Sequence, residues 1–277
     1  FEVVTGVQTC ALPIYRRSIL PRLYAQPASG GNIHSMLKLS KLTWQPPEGG
    51  QIIKGMDLAI PDGKLVVLTG PNGGGKTTLA KLIAGLETPT SGQIFLDGKD
   101  ITPLDVTQRA RCGVSYAFQT PVRFKGLTVR DLVELAAGGA LSEATLCELL
   151  GKVGLCAREY MDREINASLS GGEIKRIEIA TVLARGTRFM LFDEPEAGID
   201  LWSFTGLIDV FRDLRSHLDG SLVIISHQER ILAIADEIVV IADGVVQQAG
   251  PRALVLPGLL DGAAGCTQCP NKEVGKQ

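Results

Sequence analysis

One stretch limits the folds open to this chain more than any other: Gly70-Pro71-Asn72-Gly73-Gly74-Gly75-Lys76-Thr77-Thr78, set directly behind the apolar run Leu65-Val66-Val67-Leu68. The spacing fits G-x-x-x-x-G-K-[ST] at Gly70, Gly75, Lys76 and Thr77, a pattern that requires a buried strand, a glycine turn and a helix in that order. Glycines are needed because the backbone must take positive φ and bring its N–H groups against an anion with no Cβ in the way. Lys76 then reaches the β- and γ-phosphates of a nucleotide, and Thr77 offers its hydroxyl to Mg²⁺. The helix opening near Lys76 turns its positive dipole end toward the same anion. Residues 70–78 are therefore the expected ATP-binding segment.

A second apolar run, Arg188-Phe189-Met190-Leu191-Phe192, ends in the adjacent carboxylates Asp193 and Glu194. Side chains alternate along a strand, so the two carboxylates point to different places. Asp193 is assigned to Mg²⁺ and Glu194 to the attacking water, because P-loop nucleotidases place an Asp on the metal at this strand. A third run, Ser221-Leu222-Val223-Ile224-Ile225-Ser226-His227, ends in a histidine. At the carboxyl end of a central strand, where open α/β sheets gather their ligand groups, His227 can reach the γ-phosphate.

These residues carry a resemblance to the nucleotide-binding subunits of the ATP-binding cassette (ABC) superfamily, over about residues 37–250. Residues 70–78 resemble Walker A, 189–194 Walker B, 169–173 the signature motif, Gln119 the Q-loop, Gly198-Ile199-Asp200 the D-loop, and His227 the switch histidine. The signature, Leu169-Ser170-Gly171-Gly172-Glu173, discriminates most, since Walker motifs occur in many nucleotidases. The resemblance implies an α/β fold: a P-loop, RecA-like core with an antiparallel β subdomain and an inserted helical subdomain. It also implies that Gln119 senses Mg²⁺ or the γ-phosphate and that Asp200 lies against nucleotide. Ser170, Gly171 and Gly172 sit at a helix N-terminus with free N–H groups but no lysine to hold phosphate, so with Glu173 they form a nucleotide-binding signature that needs a nucleotide supplied from elsewhere. By resemblance the supplier is an opposing subunit, either a second copy or a paralogue, in a head-to-tail dimer.

Finer resemblance points to SufC, the ATPase of the SUF iron–sulfur cluster assembly system. It rests on residues 196–201, 226–232 and 119–123 and on Leu169-Ser170-Gly171-Gly172-Glu173-Ile174-Lys175-Arg176, although the Ala-Gly-Ile-Asp wording departs from the usual Asp-Ser-Gly. That reading implies a SufB/SufD-like scaffold as partner. The alternative is a transporter ATPase whose surface after Gln119 receives a membrane permease. A nucleotide-gated interaction protein with little turnover is disfavoured by the presence of both Glu194 and His227.

The net charge of −2 and pI near 6.0 give no electrostatic footprint for nucleic acid. No apolar window is long enough to span a membrane, so the expectation is a cytoplasmic protein without direct membrane insertion. Residues 1–35 lack periodicity and resemble translated sequencing-adapter sequence, so they are read as a non-native or disordered leader before Met36. Residues 36–250 are read as the ATPase domain, with a helical subdomain over about 120–186, and 251–277 as a tail. Two alternating strands flank a Pro-Gly turn near residues 37–42 and 52–60. Thr128 and Ser142 are N-cap candidates, Asp243-Gly244 is a hairpin turn before a short strand at Val245-Val246-Gln247, and Trp44 is a candidate platform for adenine. Six cysteines in this setting give no disulfide framework, but Cys266-Thr267-Gln268-Cys269 is a C-x-x-C with the capacity to offer two thiolates to a metal.

Overall fold

A computed structural model of the chain describes residues 35–120, 122–166, 168–217 and 220–263. Residues 1–34, Cys266 and Cys269 lie outside these, so the leader and the C-x-x-C stay expectations. Strands β3 (Leu65–Thr69), β7 (Phe189–Asp193) and β8 (Ser221–Ile225) are buried at every position. Runs of that kind belong in a parallel sheet covered on both faces. With β6 (Val114–Ala117), β9 (Glu237–Ala242) and β10 (Val245–Pro251) they form a six-stranded sheet in the order β10-β9-β3-β8-β7-β6. All neighbours in it run parallel except β10, which is antiparallel to β9.

Alternation along the strands divides the core in two. Leu65, Val67, Met190, Phe192, Leu222 and Ile224 face one apolar cluster, while Val66, Leu68, Phe189, Leu191, Val223 and Ile225 face the other. The second cluster is closed by helix α1 (Lys76–Ala84) and by a four-stranded sheet of order β2-β1-β4-β5. Its members are β1 (Ser35–Trp44), β2 (Ile53–Pro61), β4 (Ser91–Leu96) and β5 (Lys99–Asp100), paired antiparallel as the Pro-Gly turn implies. Helix α2 (Val106–Arg111) carries Arg109, which is buried at the carboxyl end of α1. Its guanidinium donates to the carbonyls of Leu82 and, at 3.1 Å, Ile83, a favourable place for a cation at a helix C-terminus.

Helices α3 (Val129–Ala137), α4 (Glu143–Lys152), α5 (Ala157–Tyr160) and α6 (Gly171–Arg185) pack into the first cluster. Thr128 caps α3 in a reciprocal pair with Asp131, and Ser142 caps α4 through the Thr145 N–H at 3.1 Å, at the positions read from the sequence. Helices α7 (Leu201–His217) and α8 (Glu229–Leu232) flank β8 in the chain. At the Asp243-Gly244 turn both residues are left-handed (φ 54° and 81°), but the strand after it reaches Pro251 rather than stopping at Gln247. A bulge between Val246 and Gln248 keeps it in register with β9. The segment read as a tail begins with a helix, α9 (Arg252–Ala263), which Val255 anchors in the first cluster.

Candidate functional site

Because β3, β6, β7 and β8 are parallel, their carboxyl ends meet along one edge of the sheet, where open α/β sheets place ligands. The edge collects Gly70, Gln119, Asp193, Glu194 and Ser226. The Ser226 N–H donates to the Leu68 carbonyl (3.1 Å) and the Glu194 N–H to that of Ile225 (3.0 Å), so the loops after β8 and β7 are each fixed to the strand beside them.

The phosphate loop is built by sterics. Gly70 sits at φ 129°, and a Cβ there would stand 2.1 Å from the Ile241 carbonyl oxygen; one at Gly74 would stand 2.7 Å from it. Gly75, at φ 100°, is the N-cap of α1 and provides no side-chain cap, and the first turn holds no acidic residue. The amino end of α1 is thus unblocked. Lys76 Nζ folds over the loop, donating to the Gly70 and Pro71 carbonyls at 2.7 and 2.8 Å. Burial lowers its pKa, and the carboxylates of Glu194 and Asp193 act the other way.

Asp193 is fully buried, accepting from the Thr77 hydroxyl at 3.2 Å and the Tyr116 hydroxyl at 3.0 Å. Burial pushes its carboxyl pKa up, and pushes the Tyr116 phenol up in turn. Thr77 and Asp193 therefore present adjacent hard oxygen donors, a set that suits Mg²⁺ once phosphate and water oxygens complete the shell. Among the described residues no cluster of three His, Cys, Asp or Glu forms a metal site by itself. Glu194 adopts φ 45°, and its Oε2 accepts from Gln119 Nε2 at 2.7 Å. A left-handed non-glycine residue is held only where its surroundings dictate it, and such residues gather at functional sites.

A cleft of roughly 300 Å³ is lined by Asn72, Gly73, Gly75, Lys76, Thr77, Thr78, Gln119, Glu194 and Ile52. Trp44, a candidate platform for the base, is half-buried against the second core cluster, and its carbonyl accepts from the N–H of Ile52, the apolar residue of the cleft lining, at 2.9 Å. His227 is exposed just past β8. The hydroxyl of Ser226, the residue before it, donates to Glu196 at 2.5 Å.

Ser170, Gly171, Gly172 and Glu173 do not line this cleft. They open α6 on the side of the D-loop, where a Cβ on Gly172 would meet the Gly198 carbonyl oxygen at 2.9 Å. Asp200 follows that loop, directly before α7. Contrary to the sequence reading, the amides here are not all free. Ser170 N–H donates to Glu173 Oε2 at 2.7 Å, and Glu173 N–H to Ser170 Oγ at 3.2 Å, closing a capping box. The Tyr160 hydroxyl also donates to Glu173, holding that carboxyl down at a pKa of about 2.

Sequence reasoning passed over Tyr116, Lys175, Glu178 and Glu196. The signal for Glu178 was a charge between Ile177 and Ile179, three residues after Lys175 on a helix that is otherwise apolar around its middle. Glu196 has one carboxylate oxygen buried without a hydrogen-bond partner, and burial raises its pKa. Tyr116 had no signal apart from its place three residues before Gln119.

A parallel sheet with a phosphate loop at its edge, paired carboxylates two strands away and a second glycine-led helix define a nucleotide-hydrolysing P-loop protein. Comparison with known proteins narrows the class. The ABC transporter family profile matches residues 53–197. The chain is 36% identical over 208 residues to an uncharacterized ABC transporter ATP-binding protein of Methanocaldococcus jannaschii, covering 72% of this chain and 83% of that one. It is 36% identical over 210 residues to the lipopolysaccharide export system ATP-binding protein LptB of Acidithiobacillus ferridurans, covering 74% and 86%. Among solved structures, a dimeric ATP-binding cassette in a post-hydrolysis state with ADP and Pi superposes with a TM-score of 0.70 at 25% identity, covering 78% of this chain and 99% of that one. Of some relatives the chain spans less: 62% of the spermidine/putrescine import ATP-binding protein of Mesoplasma florum. This chain belongs to the ABC transporter family and is an ABC-type ATPase. The named relatives are transporter ATP-binding proteins, and the iron–sulfur assembly expectation finds no support among them.

Proposed function

We propose that the chain is the ATP-binding subunit of an ABC membrane transporter, the alternative reading of its sequence, and that it hydrolyses Mg-ATP in a head-to-tail pair. The observation carrying the pairing is the incomplete cleft: the phosphate loop, Gln119 and Glu194 converge, while Ser170 and Gly171 open α6 outside it. A second chain facing the first supplies its signature to that cleft.

In the pair, Lys76 exchanges the Gly70 and Pro71 carbonyls for phosphate oxygens, and the uncapped end of α1 adds its N–H groups. Thr77 and Asp193, with Gln119 nearby, would hold Mg²⁺, which would supply positive charge to offset that of the β- and γ-phosphates. Glu194 orients and polarises the attacking water, and Gln119 keeps that carboxylate in place until nucleotide draws the amide away. His227 steadies the γ-phosphate from the end of β8.

A groove of about 290 Å³ beside Gln119 supports a membrane partner. It is lined by Phe118, Val122, Phe124, Leu132, Leu135 and Ile174 among others, and Val122, Phe124 and Leu135 are exposed there. An apolar groove of this size suits the apolar face of a short helix, here one presented by the permease. The test is isolation of the native complex: a multi-span membrane protein confirms transport. A soluble SufB/SufD-like scaffold in its place would replace this reading with the iron–sulfur one, which residues 196–201 and 226–232 resemble. Pairing is tested separately by light scattering on Glu194→Gln, which is expected to dimerise in saturating Mg-ATP; monomers only would reject it.

A further inference from the structure

Phe118 follows β6, the edge strand of the large sheet, so among the described residues one side of its backbone has no neighbouring strand. Two side chains of α6, one turn apart, take that place. Glu178 Oε1 accepts from the Phe118 N–H at 2.8 Å, and the Lys175 ammonium donates to the Phe118 carbonyl. Lys175 and Glu178 are themselves an ion pair at 3.1 Å, with the lysine side chain fully buried and the glutamate 14% exposed. The next residue is Gln119, whose amide holds Glu194.

We propose that Lys175 and Glu178 are positioning residues that clamp both backbone groups of Phe118, so that the Gln119 loop and the signature helix α6 move as one rigid unit. Nucleotide read by Gln119 in a chain's own cleft is thereby passed along α6 to Ser170, which serves the other chain's nucleotide. This rests on the paired reading above.

Three features favour a positioning role over plain stability. A buried ion pair is poor at stabilising: well-packed apolar residues of similar volume often do as well or better. Two charge-assisted bonds to the N–H and C=O of one residue fix its direction as well as its distance, which apolar packing does not. The clamp also borders the proposed docking groove, since Phe118 and Glu178 both line it, so a partner seated there presses on the same unit.

The test uses the full chain. Glu178→Leu and Lys175→Met break the clamp; Glu178→Gln keeps an acceptor for the Phe118 N–H. In the Glu194→Gln background, Glu178→Leu is expected to raise the ATP concentration for half-dimerisation about tenfold, within the range of measured coupling energies. With Glu194 intact it should lower kcat by a similar factor, with nucleotide affinity of the monomer within about twofold. Glu178→Gln should restore both. Equal dimerisation and turnover in Glu178→Leu and the unaltered chain, once corrected for folded fraction, would overturn the proposal, as would equal defects in Glu178→Leu and Glu178→Gln. Should the leucine variant not fold, amide exchange on the unaltered chain decides: Phe118 and the first turn of α6 must open together. Independent opening refutes the clamp, and because that readout needs no dimer, its failure is distinct from failure of the pairing.

Discussion

Two glycine-led helix starts, α1 and α6, look alike in sequence and differ in how their amino ends are finished. At α1 the cap is Gly75, with no side chain, no acid in the first turn and a buried lysine folded over the loop. At α6 the cap is Ser170, the first turn carries Glu173, and the two close on each other. An uncapped start with a lysine is complete as an anion site, whereas a capped start with a carboxylate needs a ligand that competes with its own side chains. The first can therefore hold nucleotide within one chain, while the second contributes only when a nucleotide is carried up to it. Glycine serves different ends in the two as well. At Gly70 it avoids a backbone oxygen, while at Gly171 nothing lies within 4 Å of a would-be Cβ.

The sharpest way to break this comparison is through chemistry at the first site. Glu194→Gln is expected to bind ATP and lose about 10²- to 10⁴-fold in kcat, the usual worth of a general base; near-normal turnover would remove Glu194 from that role. Next comes the glycine contrast. Gly70→Ala should lose roughly 1–3 kcal/mol of stability together with nucleotide binding, since its new methyl must displace the Ile241 carbonyl. Gly171→Ala should keep its Tm and its monomer affinity for ATP and fail only in pairing. If both variants unfold alike, the two glycines do not differ in kind.

Smaller effects follow at the cap. Ser170→Ala removes an N-cap and should cost about 1 kcal/mol, read from denaturant midpoints. Glu173 gives a pH signature. Its carboxyl pKa is held at about 2 against a usual 4.5, first by the Tyr160 hydroxyl and then by the Ser170 backbone. A depressed folded-state pKa contributes stability above the unfolded value and loses it as pH falls toward the folded one. The stability gap between the chain and its Glu173→Gln variant should thus be full at pH 6 and shrink between about pH 4.5 and 2. A gap independent of pH would mean that the capping box holds no ionised carboxylate.

Much of the large sheet was legible because burial on both faces leaves unbroken apolar runs, and because Asp193, Glu194 and His227 stand where such runs stop. Thr128 and Ser142 were legible as caps since capping is local chemistry. For Trp44 the sequence left a base platform and a core or rim position equally open, because an aromatic near a strand end looks the same in either; in the fold it is half-buried beside Ile52, which lines the cleft. The closure of Ser170 on Glu173 was legible by the same capping rule, as a Ser-x-x-Glu capping box, and was passed over; only the third partner, Tyr160 in a different helix, is out of reach of local spacing. Lys175, Glu178 and Tyr116 act through long-range contacts to Phe118 and Asp193, and no spacing rule joins residues about sixty to eighty apart. The helix beyond Pro251 was missed because its anchor is tertiary, through Val255 and the Arg252 N–H bonded to the Asp236 carbonyl at 3.0 Å.

The claim that Lys76 and Ser170 serve different ATP molecules is tested most directly by mixing two inactive variants, Lys76→Ala and Ser170→Arg. Each alone spoils one half of both clefts in its own pair, but a mixed pair keeps one intact phosphate loop opposite one intact signature. ATPase activity of the mixture above the sum of the separate variants is the predicted result. Activity no greater than that sum, with mixed pairs demonstrated by differential labelling, would contradict it.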